Sequence, residues 1–376
     1  MRILYWIPFF LPDTGGIETL SASLLPEFVK RGHQLAVVAS HGSNPLPDET
    51  DYQGIPIYRF HFRSAVRREN LPQLLEIRKR VAALKRAFQP DLVHIHVSDP
   101  SGFIHLQTLQ AHPAPTLVSL HTNLTDLNNT SSDTLMGQLL DKADWITGVS
   151  KTTLENAIRC KPEIANRCSV IYNGIKTPTI TPNLLPFAPP ILLCLGRLIT
   201  CKHFDLVIEA MVILIKRYPH LRLTIAGDGL QREELEDLTV SLRLEEQVEF
   251  IGWVPPEEVP EVLNATTLLV LPSRSEGLPM AALEAAHMAR PIITTDVGGN
   301  PEAVLHQQTG LIVRAGDVQG LVEAIAYLLD HPQLAQEMGD AARRHAQEVF
   351  RLEKTADAYD KIYHKLSLRP IRYLNS

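Results

Sequence analysis

The strongest constraint on the fold is an alternation that runs along nearly the whole chain. Short apolar runs take turns with segments of helical period, and the pattern breaks only once. Strands are predicted at residues 2–7, 34–40, 55–61, 91–97, 116–121, 145–149 and 169–172. Helices are predicted between them at 17–30, 71–87, 134–142 and 151–159. The break is the Pro-rich stretch 177–190, which reads as a linker. The alternation then restarts, with strands at 191–195, 222–226, 248–251, 267–271, 291–294 and 310–313. Helices follow at 204–217, 231–241, 280–288, 318–329 and 333–350, and a last amphipathic stretch runs over 353–366. Strand–helix alternation implies parallel sheets covered on both faces, here two doubly wound α/β units in tandem. Such sheets bind ligands beyond the carboxyl ends of their strands, so a cleft between the two units is the expected site. A site split in this way is expected to close on its ligand.

Bulk properties agree with a soluble globular protein. The chain has 376 residues, 45% apolar and 21% charged. Four cysteines at this length make no disulfide framework, so Cys160 and Cys168 are expected to be reduced, in a cytoplasmic protein. No Cys/His cluster has zinc spacing. The apolar start of the chain is interrupted by Pro8 and Pro12, and reads as a first buried strand rather than a signal peptide. No segment has a continuous apolar run of about 18 residues, the length needed to span a bilayer.

Net charge is −6 but unevenly spread. From Arg59 to Arg86 stand nine basic residues (Arg59, Arg63, Arg67, Arg68, Arg78, Lys79, Arg80, Lys85, Arg86) against Glu69 and Glu76, a local excess of 9 − 2 = +7. The segment is either a solvated helix face or a patch for anionic lipid or a phosphate-bearing acceptor. An acidic chain without a recognition module excludes nucleic acid as the expected partner.

The chemistry concentrates in Ser273-Arg-Ser-Glu-Gly-Leu-Pro-Met-Ala-Ala-Leu-Glu284. Glu276 sits in a Gly/Pro loop after a predicted strand, and Glu284 in the helix-favouring segment that follows. A strand, a tight loop and a helix N-terminus make an anion site from backbone N–H groups. Two carboxylates beside it suit hydroxyl-rich groups, because ionised carboxylates accept charge-assisted hydrogen bonds. Phosphate and hydroxyls together describe a nucleotide-sugar. In the same unit, Gly196 ends a strand, and Arg197 and Lys202 follow before a helix. They are either solvated cations or partners of a bound diphosphate, which would offset their poor fit to the helix dipole. In the first unit, Gly15 and Gly16 precede a helix, as a plain turn or as a close backbone approach to a ligand. His121 ends a strand beside His94 and His96, and is either structural or aimed at the ligand. Of the other two, His96 is expected to line the cleft. Gly252 ends a strand where backbone groups could meet a base. Gly227-Asp-Gly229 resembles only a fragment of the dinucleotide fingerprint, which argues against a nicotinamide enzyme. No Asp-x-Asp motif for a nucleotide-bound metal appears, so no catalytic metal and no cofactor are expected.

Taken together these residues resemble the family 4 glycosyltransferases of the GT-B fold, glycosyl transferases group 1. The family's paired glutamates match Glu276 and Glu284, and its Gly-Arg with a later lysine matches Gly196-Arg197 and Lys202. The glycine pair Gly15-Gly16, Val149-Ser150, Asn173-Gly-Ile175, Gly227-Asp-Gly229 and Thr295-Asp-Val-Gly-Gly-Asn-Pro-Glu302 also match. The resemblance implies a retaining transferase that moves a sugar from a UDP- or GDP-sugar to a glycan, lipid-linked or small-molecule hydroxyl. It implies an acceptor-side domain at 1–176, a donor-side domain at 177–352, and a C-terminal helix at 353–376 packed back on the first. Glu284 is then expected on the ribose and Glu276 on the transferred sugar. Arg197 and Lys202 would neutralise the diphosphate with backbone N–H groups of Gly16, Gly277 and Leu278, and His121 would approach the sugar or its phosphate. Other readings of the same fold are a non-catalytic nucleotide-sugar-binding subunit and a nucleotide-sugar 2-epimerase-type enzyme. A role in polysaccharide biosynthesis at the cell envelope, at the inner face of the membrane, is the expectation from family and charge.

Three positions depart from the family pattern. Pro279 replaces glycine in the Glu276 loop and is expected at the first helical position. His203 follows Lys202 where glycine is common. Arg290 stands before Pro291 and is expected to affect only a helix end. The acceptor is expected against residues 41–54, 59–86 and 122–133.

Overall fold

The computed structural model describes residues 1–13, 15–42, 44–97, 101–124 and 130–372. The chain divides into two compact units, one of Met1–Asn173 with Leu352–Ser376, the other of Gly174–Arg351.

The first unit carries an eight-stranded sheet of β1 (Arg2–Trp6), β2 (Gln34–Ser40), β3 (Glu49–Tyr52), β4 (Ile55–Phe60), β5 (Leu92–Val97), β6 (Thr116–Leu120), β7 (Trp145–Gly148) and β8 (Cys168–Val170). Their order is β3-β4-β2-β1-β5-β6-β7-β8. All pairings are parallel except the β3–β4 hairpin at the edge. The second unit has β9 (Ile191–Leu195), β10 (Arg222–Ala226), β11 (Val248–Gly252), β12 (Leu268–Leu271), β13 (Ile292–Thr295) and β14 (Gly310–Val313). Their order, β11-β10-β9-β12-β13-β14, is parallel throughout. In each sheet the strand order reverses beside the first strand, between β1 and β5 and between β9 and β12. These reversals open a crevice at the carboxyl ends of the strands, the preferred ligand position in this architecture.

Continuous apolar runs made these strands legible. Leu192, Leu193 and Cys194 of β9 and Leu268 to Leu271 of β12 are fully buried, as strands covered on both faces must be. β3, inside the expected loop 41–54, carries no such signal, because Glu49-Thr-Asp-Tyr52 lies at the edge with Glu49 and Asp51 exposed. The short helices Phe62–Arg67, Gly102–Gln107, Val259–Asn264 and Asn300–Ala303 were likewise unannounced. They are too short for a helical period to register.

The Pro-rich stretch belongs to the second unit rather than hanging free. Leu185 is buried, and its N–H donates to Gln336 Oε1 at 3.0 Å. Arg290 does more than finish a helix. It is fully buried, and its guanidinium donates to the carbonyls of Met288 (2.8 Å), Thr266 (2.9 Å) and Asn183, binding the stretch to the entry of β12. Burial lowers its pKa to about 10.

The last helix, Leu352–Ser367, lies on the first unit. Its buried stripe of Leu352, Thr355, Ala356, Tyr359, Ile362, Tyr363 and Leu366 has helical spacing. Tyr363 meets Phe28 of the helix Gly16–Lys30, with ring centroids 5.3 Å apart.

The basic segment separates into inner and outer cations. Arg59 is buried and donates to Thr50 Oγ1 (2.5 Å) and to the Leu11 carbonyl (2.8 Å). Lys85 is buried against His105, 3.2 Å from its Nδ1, and burial lowers its pKa to about 7. These two therefore do not belong to a surface patch. Arg67, Arg68, Arg78, Lys79, Arg80 and Arg86 are exposed.

Candidate active site

The second unit brings the predicted donor-side residues to one end of its sheet. The loop after β9 carries Gly196, Arg197 and Lys202. The loop after β12 carries Ser273 to Leu278 and leads into the helix Met280–His287. These two loops flank the reversal of strand order. They are tied by Arg274 N–H donating to the Cys201 carbonyl at 2.9 Å. Across them, Lys202 Nζ lies 2.6 Å from Glu276 Oε1. The same oxygen accepts from Ser273 Oγ at 2.7 Å. Arg197 is exposed, and its side chain makes no hydrogen bond or ion pair among the described residues.

Close backbone packing holds this floor. A Cβ at Gly298, where φ is +53°, would overlap the Glu276 carbonyl. Gly298 therefore lets the loop after β13 lie directly under Glu276. A Cβ at Gly227, after β10, would likewise overlap the carbonyl of Gly196. Gly227 N–H donates to the Gly252 carbonyl at 2.7 Å, which brings the end of β11 to the same edge.

Beneath Glu276 a polar chain descends into the core. Ser273 offers its carbonyl to Thr295 Oγ1 at 2.5 Å, and Asn300 Nδ2 donates to both the Thr295 carbonyl (3.1 Å) and its Oγ1 (3.2 Å). Asn300 is the residue that the sequence reading did not single out. Its place inside the Thr295–Glu302 motif was the available signal.

Gly277 and Leu278 are buried at the entry to the helix, and their N–H groups donate to no described residue. Pro279 takes the N-cap position, one residue before the predicted one, so it costs the helix no internal donor. Glu284 sits half-buried on this helix, its carboxylate without a hydrogen bond or ion pair among the described residues. Removal from solvent raises its pKa to about 7. His203 occupies the left-handed region, φ +52° and ψ +42°. That conformation explains why glycine suits the position.

In the first unit, Gly15 is the N-cap of the helix Gly16–Lys30 and Gly16 is its exposed first residue. The preceding Thr14 lies outside the described residues. His121 is buried just past β6, with Nε2 2.8 Å from His96 Nδ1. Burial lowers its pKa to about 4, so the ring is neutral near pH 7. His96 does not line a surface, being 2% exposed and serving His121 instead. His94 is core, held by Tyr363 OH and Ser119 Oγ, each at 2.8 Å. Of the expected acceptor segment 122–133, residues 125–129 lie outside the described ones, as do Ser43 of 41–54 and residues 373–376 at the end.

A pocket of about 670 Å³ lies at the opposite, amino end of the second sheet, lined by Phe187, Pro190, Tyr218 and Leu329 among others. It contains none of the charged side chains gathered at the carboxyl end.

Two family models match in succession. Glycosyltransferase Family 4 matches residues 14–179, and Glycosyl transferases group 1 matches residues 179–345. Glycogen synthase of Mycobacterium tuberculosis is 30% identical over 296 residues, 74% of this chain and 69% of that protein. The chain is a family 4 glycosyltransferase. The transferase is also similar to N-acetyl-alpha-D-glucosaminyl L-malate synthase of Bacillus anthracis, 24% identical over 94% of each chain. Its fold is GT-B. HepE of Anabaena, solved in complex with UDP and glucose, superposes with a TM-score of 0.77 at 18% identity, covering 97% of this chain and 100% of that one. Among the described residues of the transferase, no helix is long and apolar enough to cross a membrane.

Proposed function

We propose that this glycosyltransferase takes its sugar from a nucleoside-diphosphate sugar, a UDP- or GDP-sugar, and passes it to an acceptor hydroxyl with retention of configuration. The observation that carries the reading is the convergence at the reversal of strand order in the second unit. Cations at Arg197 and Lys202, a held carboxylate at Glu276, free N–H groups at Gly277 and Leu278, and an unpaired Glu284 meet at one edge. In this reading Arg197 and Lys202 bind the diphosphate, and the N–H groups of Gly277 and Leu278 cradle it at the helix entry. Ionised Glu284 accepts from the ribose hydroxyls. Glu276, fixed by Ser273 and Lys202, accepts from hydroxyls of the transferred sugar.

As the glycosidic bond to phosphate breaks, negative charge grows on the leaving diphosphate. Preorganised cations and N–H donors lower that barrier. The departing phosphate oxygen takes the acceptor's proton, so the chain needs no separate base. Neutral His121, fixed by His96, offers one ring nitrogen as a hydrogen-bond partner to the sugar or its phosphate. The HepE complex with UDP and glucose supports this donor class.

Calorimetric titration of UDP-, GDP- and ADP-sugars into wild type and Glu284→Ala tests the reading. One nucleotide class should bind wild type and weaken in the variant. Absence of binding by all three to folded wild type would overturn it.

A further inference from the structure

Three side chains away from that site converge at the carboxyl edge of the first sheet. β2 and β4 are parallel neighbours with Ser40 opposite Phe60. The next residues, His41 and His61, therefore stand side by side, and His41 N–H donates to the Phe60 carbonyl at 3.0 Å. Their rings stack with centroids 4.0 Å apart and planes 15° from parallel. The β3–β4 hairpin supplies the third group. Glu49 pairs with Tyr58, and Arg59 N–H donates to the Asp48 carbonyl at 2.6 Å, which places Asp48 beside the two rings. Asp48 Oδ1 lies 2.9 Å from His41 Nε2. One ring nitrogen from each histidine and one carboxylate oxygen all lie within 4.8 Å of one another. His61 is exposed, and its ring makes no hydrogen bond among the described residues. Arg80 Nη1 holds the other Asp48 oxygen at 2.8 Å.

We propose that His41, Asp48 and His61 bind a divalent transition-metal cation. Two imidazoles and one carboxylate form a donor set for zinc and its borderline neighbours, and do not suit magnesium or calcium, which require mostly oxygen. Arg80 restricts Asp48 to a single donor oxygen, so the protein contributes three ligands and water completes the shell. Sharing one cation requires the stacked rings to tilt, and exposed His61 has room to do so. The bound cation would brace rather than catalyse. It would clamp the start of the loop after β2 to the end of β4. That loop also touches the segment before Gly15, where Asn44 Nδ2 donates to Asp13 Oδ1 at 3.0 Å.

Tag-free, EDTA-treated full-length protein is titrated with Zn²⁺ by calorimetry and with Co²⁺ by visible absorption. Wild type should take up one saturable equivalent, with a cobalt spectrum of histidine-containing coordination. His61→Ala and Asp48→Asn, checked by circular dichroism, should each lose at least about tenfold in affinity for that equivalent. No saturable equivalent in wild type, or one that survives unchanged in both variants, overturns the proposal.

Discussion

Lys202 and Glu276 form an ion pair 2.6 Å long across the reversal of strand order in the second sheet, with side chains 18% and 9% exposed. The pair joins two loops whose sequences lie 74 residues apart. It sets the position of a carboxylate that would otherwise be held by Ser273 alone among the described residues.

Breaking the pair should cost turnover more than fold. In the proposed mechanism Lys202→Met removes a cation from the place where leaving-group charge develops, and Glu276→Gln removes the charge it orients. Each should lower kcat on the order of 10²–10³-fold, as loss of a preorganised charge-stabilising group does. Stability should fall by only about 1–3 kcal/mol, the usual cost of one lost partner in a partly buried polar pair. Steady-state kinetics beside urea unfolding would separate the two effects. Equal turnover in wild type and both variants would remove the pair from the mechanism.

Glu284 should make donor binding depend on pH. Its folded pKa is raised to about 7, above the ordinary glutamate range. The folded state therefore holds the proton more tightly than the unfolded state. Glu284 costs nothing at pH 4, and its cost grows as pH rises from the unfolded value through about 7. Glu284→Gln should accordingly gain in Tm over wild type across that window and match it near pH 4. In the proposed reading the ionised form accepts from ribose hydroxyls, so nucleotide affinity should tighten between pH 6 and 8 in wild type and stay level in Glu284→Gln. Calorimetry at three pH values reads this directly, and parallel profiles would contradict it.

Arg290 should be a stability residue. Arg290→Met leaves the carbonyls of Met288, Thr266 and Asn183 without this donor inside the second unit. Each buried acceptor left unsatisfied costs about 1–3 kcal/mol. Thermal unfolding should show a large drop in Tm, while nucleotide affinity at low temperature, where the variant remains folded, should be unchanged. A variant as stable as wild type would mean that the carbonyls find other partners.

The exposed cations, and not buried Arg59 and Lys85, should carry any contact with an anionic membrane. Leu71 (63% exposed) and Leu75 (40%) lie one turn apart on the helix Leu71–Phe88, ahead of exposed Arg78 and Lys79 on the same face. We propose that this face meets anionic lipid. Vesicles containing phosphatidylglycerol should sediment the protein at low salt, whereas phosphatidylcholine vesicles should not. Leu71→Ser with Leu75→Ser should weaken the interaction severalfold. No preference for the anionic vesicles would remove the proposal.

Composition and periodicity determined the fold class, because a strand buried on both faces must be written as a continuous apolar run. Strands β9, β10 and β14 match their predicted limits, and the Glu276, Glu284, Gly196 and Lys202 motifs were visible as residue types at set spacings. Sequence could not show β3, whose polar residues form a strand only because β4 supplies a partner. It could not divide the basic segment into buried Arg59 and Lys85 and exposed Arg67 and Lys79, since charge counts carry no burial. Nor could it pair Lys202 with Glu276, link Asn300 to Ser273 through Thr295, or set His41 beside His61. Local sequence dictates which segments become strands and helices. Which side chains meet depends on strand order and register, and those are settled only when the whole sheet assembles.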